Sequence, residues 1–249
     1  MSDAWQQLQK FTAARIGQGR AGVSLPTAKQ LAFGLDHARA RDAVHKALDV
    51  AKIEGQLPEP VLFLTSQAPD RASYLKRPDW GRRLDAPSRQ IAERHQGEYD
   101  LALVIVDGLS ALAIEENAAA FLAALRPELK DWSLAPLSVV TQGRVAIGDE
   151  VASLLGARMV LVLIGERPGL SAPDSLGLYF TYGPEVGGTD ERRNCISNVR
   201  PAGLSYQEAA KRQGYLMSEA WRRGISGVDL KDESAMDTAL TQQGNFLLG

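Results

Sequence analysis

The sequence predicts an α/β fold: a Rossmann-like, doubly wound and mostly parallel sheet, preceded by an N-terminal helical region. Three observations lead there. VLFLT at 61–65, LALVIV at 101–106, LSVVT at 137–141 and MVLVLIG at 159–165 are short, continuous apolar runs rich in Val, Leu and Ile. Such runs suit strands buried on both faces of a parallel sheet. Helix-patterned stretches at 87–96, 110–125 and 149–155 alternate with them, as in βαβ units with right-handed crossovers. Finally, 249 residues with 45% hydrophobic content can build one substantial core.

Taken in order, residues 1–57 read as helical and 58–249 as the sheet domain. After Pro26–Thr27, the apolar residues Leu31, Leu35, Ala38, Val44 and Leu48 fall near one side of a helix, with Arg39, Arg41, Asp42 and His45 mostly elsewhere. That polar side is either a solvated surface or a partner-binding face. LGLYFTY at 176–182 predicts a further strand. The last strong helix opens with the capping box Ser205-x-x-Glu208 and closes at Arg222-Arg223-Gly224. A serine cap, late positive charge and a glycine just past the end agree with one another.

Composition narrows the function. Lys and Arg number 28 against 30 acidic residues, a net charge of −2, which gives no global attraction to nucleic acid or anionic membrane. No run approaches the ~18 apolar residues of a membrane span, and MSDAWQQLQKF lacks the pattern of a secretory signal. One cysteine cannot form an internal disulfide, and His37, His45 and His95 show no metal-ligand spacing. A soluble, intracellular protein is expected.

Familiar motifs fail on context. Gly17-x-Gly19-x-x-Gly22 is a literal dinucleotide fingerprint, but a helical segment precedes it and Pro26 breaks the chain's continuation within four residues; the fingerprint needs a strand before and a helix directly after. Gly-x-Ser triplets end at Ser24, Ser110, Ser171, Ser205 and Ser226, none with glycine two residues on, so no nucleophile elbow is present.

If the sheet is correct, the segments TSQAPDRASY, VDGLSA, TQGRVAIGDE and GERPGLSAPDS leave the carboxyl ends of the strands and share one rim. Ligands of open α/β sheets bind there, where strand order reverses. Glu166 directly follows a strand; it can accept charge-assisted hydrogen bonds from a ligand or pair with Arg167. Val145 can be an apolar wall of the rim or a core residue. Cys195 is a candidate buried small hydrophobe. Asp107 and Ser110 can shape the same rim, Ser110 also as a helix cap. Residues 66–84 mix Arg71, Tyr74, Arg77, Trp80, Arg82 and Arg83 with prolines: either an interface loop or a loop packed on its own domain.

The stretch GERPGLSAPDSLGLYFTYGPEVGGTDERRNCISN at 165–198 resembles the C-terminal part of the light (small) chain of ethanolamine ammonia-lyase, an adenosylcobalamin enzyme. The resemblance extends in order through IGQGRAGVSLPT, ARDAVH, SQAPDRASYLKRPDWGRRL, VDGLSA and GRVAIGDE, so it covers nearly the whole chain. It implies radical conversion of ethanolamine to acetaldehyde and ammonia, in a multi-copy hetero-oligomer whose large TIM-barrel subunit carries the substrate site. It also implies cofactor contacts at Val145, Glu166 and Cys195, which are contacts and not catalysts; the chain has no Asp-x-His-x-x-Gly motif, so none of its histidines is marked as a cobalt ligand. The N-terminal region and the 66–84 loop are then expected to meet the large subunit. The implied address is the cytoplasm, free or inside a bacterial microcompartment. The alternative from the rim alone is a non-catalytic nucleotide-binding or interaction module.

Overall fold

The computed structural model describes residues 3–12, 14–58 and 60–234. Six strands form one sheet in the order β1-β3-β2-β4-β5-β6. They are β1 (Val61–Thr65), β2 (Tyr99–Val106), β3 (Leu137–Thr141), β4 (Ala157–Gly165), β5 (Leu176–Tyr182) and β6 (Asn194–Val199). The first four pair in parallel, while β5 and β6 add on as antiparallel strands. The mostly parallel α/β fold is as the sequence predicts. The antiparallel edge explains why β5 reads less purely apolar than β4: Tyr179 and Tyr182 stay half-buried, whereas β4 is buried from Met159 onward.

The central strands alternate between two cores, as a period of two requires. Leu101, Leu103 and Ile105 of β2 face one layer; Ala102, Val104 and Val106 face the other. The first layer is closed by α3 (Val50–Glu54), α6 (Ala111–Leu125) and α8 (Tyr206–Arg223), the second by α5 (Ala86–Glu93) and α7 (Ile147–Leu155). Fully buried Ile114, Phe121 and Leu125 anchor α6, and Ile147, Val151 and Leu155 anchor α7. The α8 caps behave as read: Ser205 accepts from the Glu208 N–H, and Gly224 takes the left-handed conformation with φ 69°. A short α4 (Arg71–Lys76) lies between β1 and α5, opened by an Asp70 cap.

Among its described residues the N-terminal region is helical in three separate pieces, α1 (Asp3–Gln9), α2 (Thr27–His45) and α3. Between α1 and α2, the glycines of the would-be fingerprint sit at positive φ in a loop with no preceding strand, which no dinucleotide fold uses. A Cβ on Gly17 would lie 2.8 Å from Trp5, so that glycine lets α1 fold back on the loop. The expected apolar stripe of α2 is not a core stripe: Leu31 and Leu35 are exposed, Ala43 is its buried residue, and the helix ends before Leu48. Glu115 of α6 ties this arm to the domain by accepting from Lys46 Nζ, Lys52 Nζ and the Asp49 N–H. Burial raises the Glu115 pKa, but the two lysines outweigh it and hold the carboxyl below its ordinary value.

The C-terminal ends of β2 and β4 approach more closely than side chains permit. The Leu109 N–H donates to Gly165 O at 2.9 Å, and a Cβ on Gly165 would lie 2.0 Å from Ser110 O and 2.7 Å from Asp107 O. Both clashes are with backbone. Gly165→Ala is therefore expected to destabilise the domain by about 3 kcal/mol or more, since backbone cannot yield as a side chain does. Denaturant unfolding checks this; a loss below ~1 kcal/mol would show that the two ends separate easily.

Candidate functional site

The connections leaving β2 and β3 diverge, β2 feeding α6 on one face and β3 feeding α7 on the other. These strands are neighbours, so a crevice opens between their carboxyl ends, where ligands of such sheets bind. An open basin of about 530 Å3 lies there and continues past the end of β4 toward β5 and β6. Its walls include Leu109, Val145, Ile164, Glu166, Tyr179 and Asn198. The rim expected from sequence is thus one continuous surface.

Beneath it sits a buried polar frame. Asp107 is 1% exposed and accepts from the Gly143 N–H at 3.1 Å. Its other oxygen faces Arg71 Nη1 at 3.6 Å without a hydrogen bond. Burial pushes its pKa up to about 6, against the opposing pull of backbone N–H groups and Arg71. Asp107 is therefore a support below the rim and not part of its surface. Ser110 accepts from the Ala113 N–H and donates to Pro173 O at 2.7 Å, so it caps α6 and pins the loop after β4.

Residues 66–84 divide between both readings. Arg71 turns inward, donating to Val44 O at 2.7 Å and Gly108 O at 2.8 Å. Tyr74 is fully buried, its hydroxyl donating to Gly143 O at 3.0 Å and its ring flanked by the guanidiniums of Arg71 and Arg144 at 4.7 and 4.2 Å. Burial raises the Tyr74 pKa far above its ordinary range, so the phenol stays neutral. Arg77 and Arg82 point outward, Arg77 stacked 4.4 Å from the half-buried ring of Trp80. Sequence patterning cannot separate these arginines, because direction depends on where β2 and β3 lie.

Each candidate contact has a definite place. Val145 is half-buried in the basin wall, touching both the α7-side core and the open surface. Glu166 does not pair with Arg167: its Oε2 accepts from Ser175 Oγ and from the Asn198 N–H, the latter at 3.2 Å. Oε1 accepts no hydrogen bond from the described residues. The carboxylate lies flat over Gly177, where a Cβ would come 2.9 Å from Glu166 Cγ. Cys195 is exposed on β6, paired with Tyr179 of β5, which corrects the expectation of a buried thiol. It borders the basin without being part of its wall. Although the residue is exposed as a whole, burial around the sulfur raises the thiol pKa and nearby Glu166 adds to that, against a hydrogen bond with Tyr179. A neutral thiol on an exposed strand makes a packing contact, not a nucleophile. Sequence reading missed Tyr179, Ser175 and Asn198; the last comes after Ser197 in a polar strand end that looks like ordinary loop.

None of His37, His45 and His95 lines the basin. Among the described residues, no group of His, Cys, Asp and Glu has the geometry of a metal site, and no helix is long and apolar enough to cross a membrane.

The family model for the ethanolamine ammonia-lyase light chain matches residues 2–231. The ethanolamine ammonia-lyase small subunit of Ralstonia nicotianae is 56% identical over 253 residues, covering 98% of this chain and 94% of the relative. That of Azotobacter vinelandii is also 56% identical, over 98% of this chain and 95% of the relative. The small subunit from Pseudomonas fluorescens is 55% identical, over 98% and 94%.

The frame predicts a pH signature. Asp107 binds its proton more tightly folded than unfolded, so its contribution to stability is full below pH ~4 and is lost as pH rises through about 6. Relative to Asp107→Asn, the native protein is expected to lose up to roughly 3 kcal/mol of stability between pH 4 and 7. Urea unfolding of both proteins across that range is the measurement; parallel curves would show an unshifted carboxyl.

Proposed function

The chain belongs to the ethanolamine ammonia-lyase light-chain family, and from that premise we propose that it is the cofactor-holding small subunit of an adenosylcobalamin-dependent enzyme. In this reading the enzyme converts ethanolamine to acetaldehyde and ammonia, and a larger TIM-barrel subunit carries the substrate site. One observation carries the reading: Val145 and Glu166, separated by a whole α/β unit in sequence, converge on one basin at the strand ends, with Cys195 beside it.

The basin suits a broad, mostly apolar ring edged by amide groups. Leu109, Val145, Ile164 and Tyr179 supply apolar contact, and Glu166 offers an oxygen free to accept from a ligand N–H. No imidazole of the described residues lines the basin, so this chain would offer the cofactor no histidine ligand there. A corrin exceeds a cavity of about 530 Å3; the subunit takes part of it, and the facing barrel covers the rest. When bound, adenosylcobalamin supplies radical chemistry through homolysis of its cobalt–carbon bond. This chain's task is to orient it and to help exclude water from the closed chamber. Cys195 and Tyr179, both neutral at pH 7, add contact without a competing proton donor of ordinary acidity.

Two surfaces suit the large subunit. Among the described residues, eight of the eleven exposed large hydrophobics, Trp5 through Leu35, lie in the N-terminal arm. So much unpaired apolar surface marks an interaction site, and region 1–57 is proposed as a partner-contacting unit. Trp80 with outward Arg77 and Arg82 forms a second anchor near the basin. The assembly is proposed to be a multi-copy hetero-oligomer in the cytoplasm, free or inside a microcompartment.

Glu166→Gln is expected to weaken cofactor binding by the assembled enzyme about tenfold to a hundredfold, the value of one charge-assisted hydrogen bond. Equilibrium titration measures it, and unchanged affinity would remove Glu166 from the contact set. Trp80→Ala combined with Arg82→Ala is expected to reduce co-purification with the large subunit, whereas normal recovery would reassign the loop to packing within its own domain.

A further inference from the structure

We propose that the β-bulge at Ser197–Asn198 is a positioning device that fixes the Glu166 carboxylate toward bound cofactor, with Asn198 as the positioning residue. The proposal rests on reading Glu166 as a cofactor contact. It adds why that side chain holds one orientation and which residues impose it.

The bulge is visible in the register of β5 and β6. Leu178 pairs with Ile196 and Leu176 with Val199, so the single residue Gly177 faces two, Ser197 and Asn198. A bulge bends its strand and re-aims the groups within it, and bulges concentrate next to functional sites. Here the re-aimed group is the Asn198 N–H. Asn198 is one of two non-glycine residues at positive φ among the described residues, at 59°. In that conformation its N–H leaves the ladder and donates to Glu166 Oε2 at 3.2 Å.

Three further features converge on the same carboxylate. Ser175 Oγ donates to the same oxygen, so both donors hold Oε2 and leave Oε1 for a ligand. The Glu166 N–H donates to Ser175 O at 3.0 Å, fixing the backbone on which that hydroxyl sits. Gly177 lacks the Cβ that would strike Glu166 Cγ and Oε1 at 2.9 and 3.0 Å. The residue opposite the bulge is thus the one residue type that lets the carboxylate lie flat.

A left-handed asparagine costs free energy, and the surroundings offset it. Asn198 O accepts from the Leu204 N–H at 2.8 Å, and Asn198 Oδ1 accepts from Arg200 Nε at 2.8 Å. Arg200 is itself held by Asp174 at 3.1 Å. Gly203 permits the tight return, since a Cβ there would lie 2.3 Å from Asn198 O. A bulge that only ended a strand would need none of this aim. Its freed N–H would meet solvent instead of a half-buried carboxylate in the basin wall.

The test uses the assembled heteromer and equilibrium binding of cyanocobalamin, a probe that undergoes no turnover. Asn198→Val disfavours positive φ, Gly177→Ala lifts the carboxylate, and Ser175→Ala removes one hydroxyl with little other disturbance. Each is expected to weaken binding on the order of tenfold. Asn198→Gly keeps both the left-handed backbone and its N–H, so it should bind clearly more tightly than Asn198→Val. In a Glu166→Ala background the same changes should have no further effect. Equal losses with and without Glu166, or equal losses for the glycine and valine variants, would overturn the proposal while leaving Glu166 a contact. Wild-type binding by Glu166→Ala alone would overturn the contact reading and the proposal together. If Asn198→Val fails to assemble, Asn198→Ala compared with Asn198→Gly in the two backgrounds decides the question, since alanine also disfavours the left-handed backbone.

Discussion

Everything at the carboxyl edge of this sheet depends on the close backbone approach of Gly108 and Gly165. Gly108 sits at φ 57°, and a Cβ there would lie 2.3 Å from Gly165 O. Because both lack side chains, the turn after β2 bonds directly to the end of β4. Asp107 stays buried beneath that contact and Ser110 reaches Pro173. The loop from 166 to 175 therefore starts from a fixed point, and Glu166 with it. Without that approach, the ends of neighbouring strands would be separate loops and not the wall of one basin.

How much of this was legible in the sequence depends on which interactions are local. Of the four parallel strands, β2 and β4 announce themselves through long apolar runs buried on both faces. The edge strand β1 reads as apolar although it alternates buried and half-buried residues, and β3 although it buries Ser138. The caps at Ser110 and Ser205 are equally plain, each being a bond across three residues. The antiparallel turn from β4 to β5 was not legible, since β5 is equally apolar in either direction. Nor was the partner of Glu166: adjacent Arg167 is the nearest charge in sequence, but the donors that hold the carboxylate come from 9 and 32 residues away. The left-handed Asn198 is invisible for a related reason. Nothing in CISNVR marks a left-handed residue until the facing strand and its missing Cβ are known.

The N-terminal arm shows the opposite failure. Its apolar pattern is real, but the periodicity of a helix says only that one side is apolar, not what covers it. The sheet domain covers little of α2: Leu31, Phe33 and Leu35 are exposed, and the arm is fastened at its far end by Ile53 and Leu57 in the core and by polar contacts through Lys46, Lys52 and Arg71. Arg71 joins two regions of interest, bonding Val44 O at the end of α2 and Gly108 O at the basin's edge. An arm anchored at one end and exposing apolar side chains along α2 fits the proposed role of meeting a partner surface.

The titratable groups around the basin support the proposal that this chain holds a cofactor and leaves catalysis to a partner. Burial keeps the Tyr74 and Tyr179 phenols and the Cys195 thiol protonated at neutral pH. Asp107 is sealed under backbone, where no ligand reaches its carboxyl. Among the described residues, the one carboxylate in the basin wall, that of Glu166, is clamped at one oxygen by two donors. A general acid or base must be free to gain and lose a proton near neutral pH within reach of substrate; the two phenols and the thiol stay protonated, and Asp107 is out of reach. The same arrangement suits a rigid support, because a fixed acceptor beside neutral walls holds a large ligand in one orientation without offering it a stray proton.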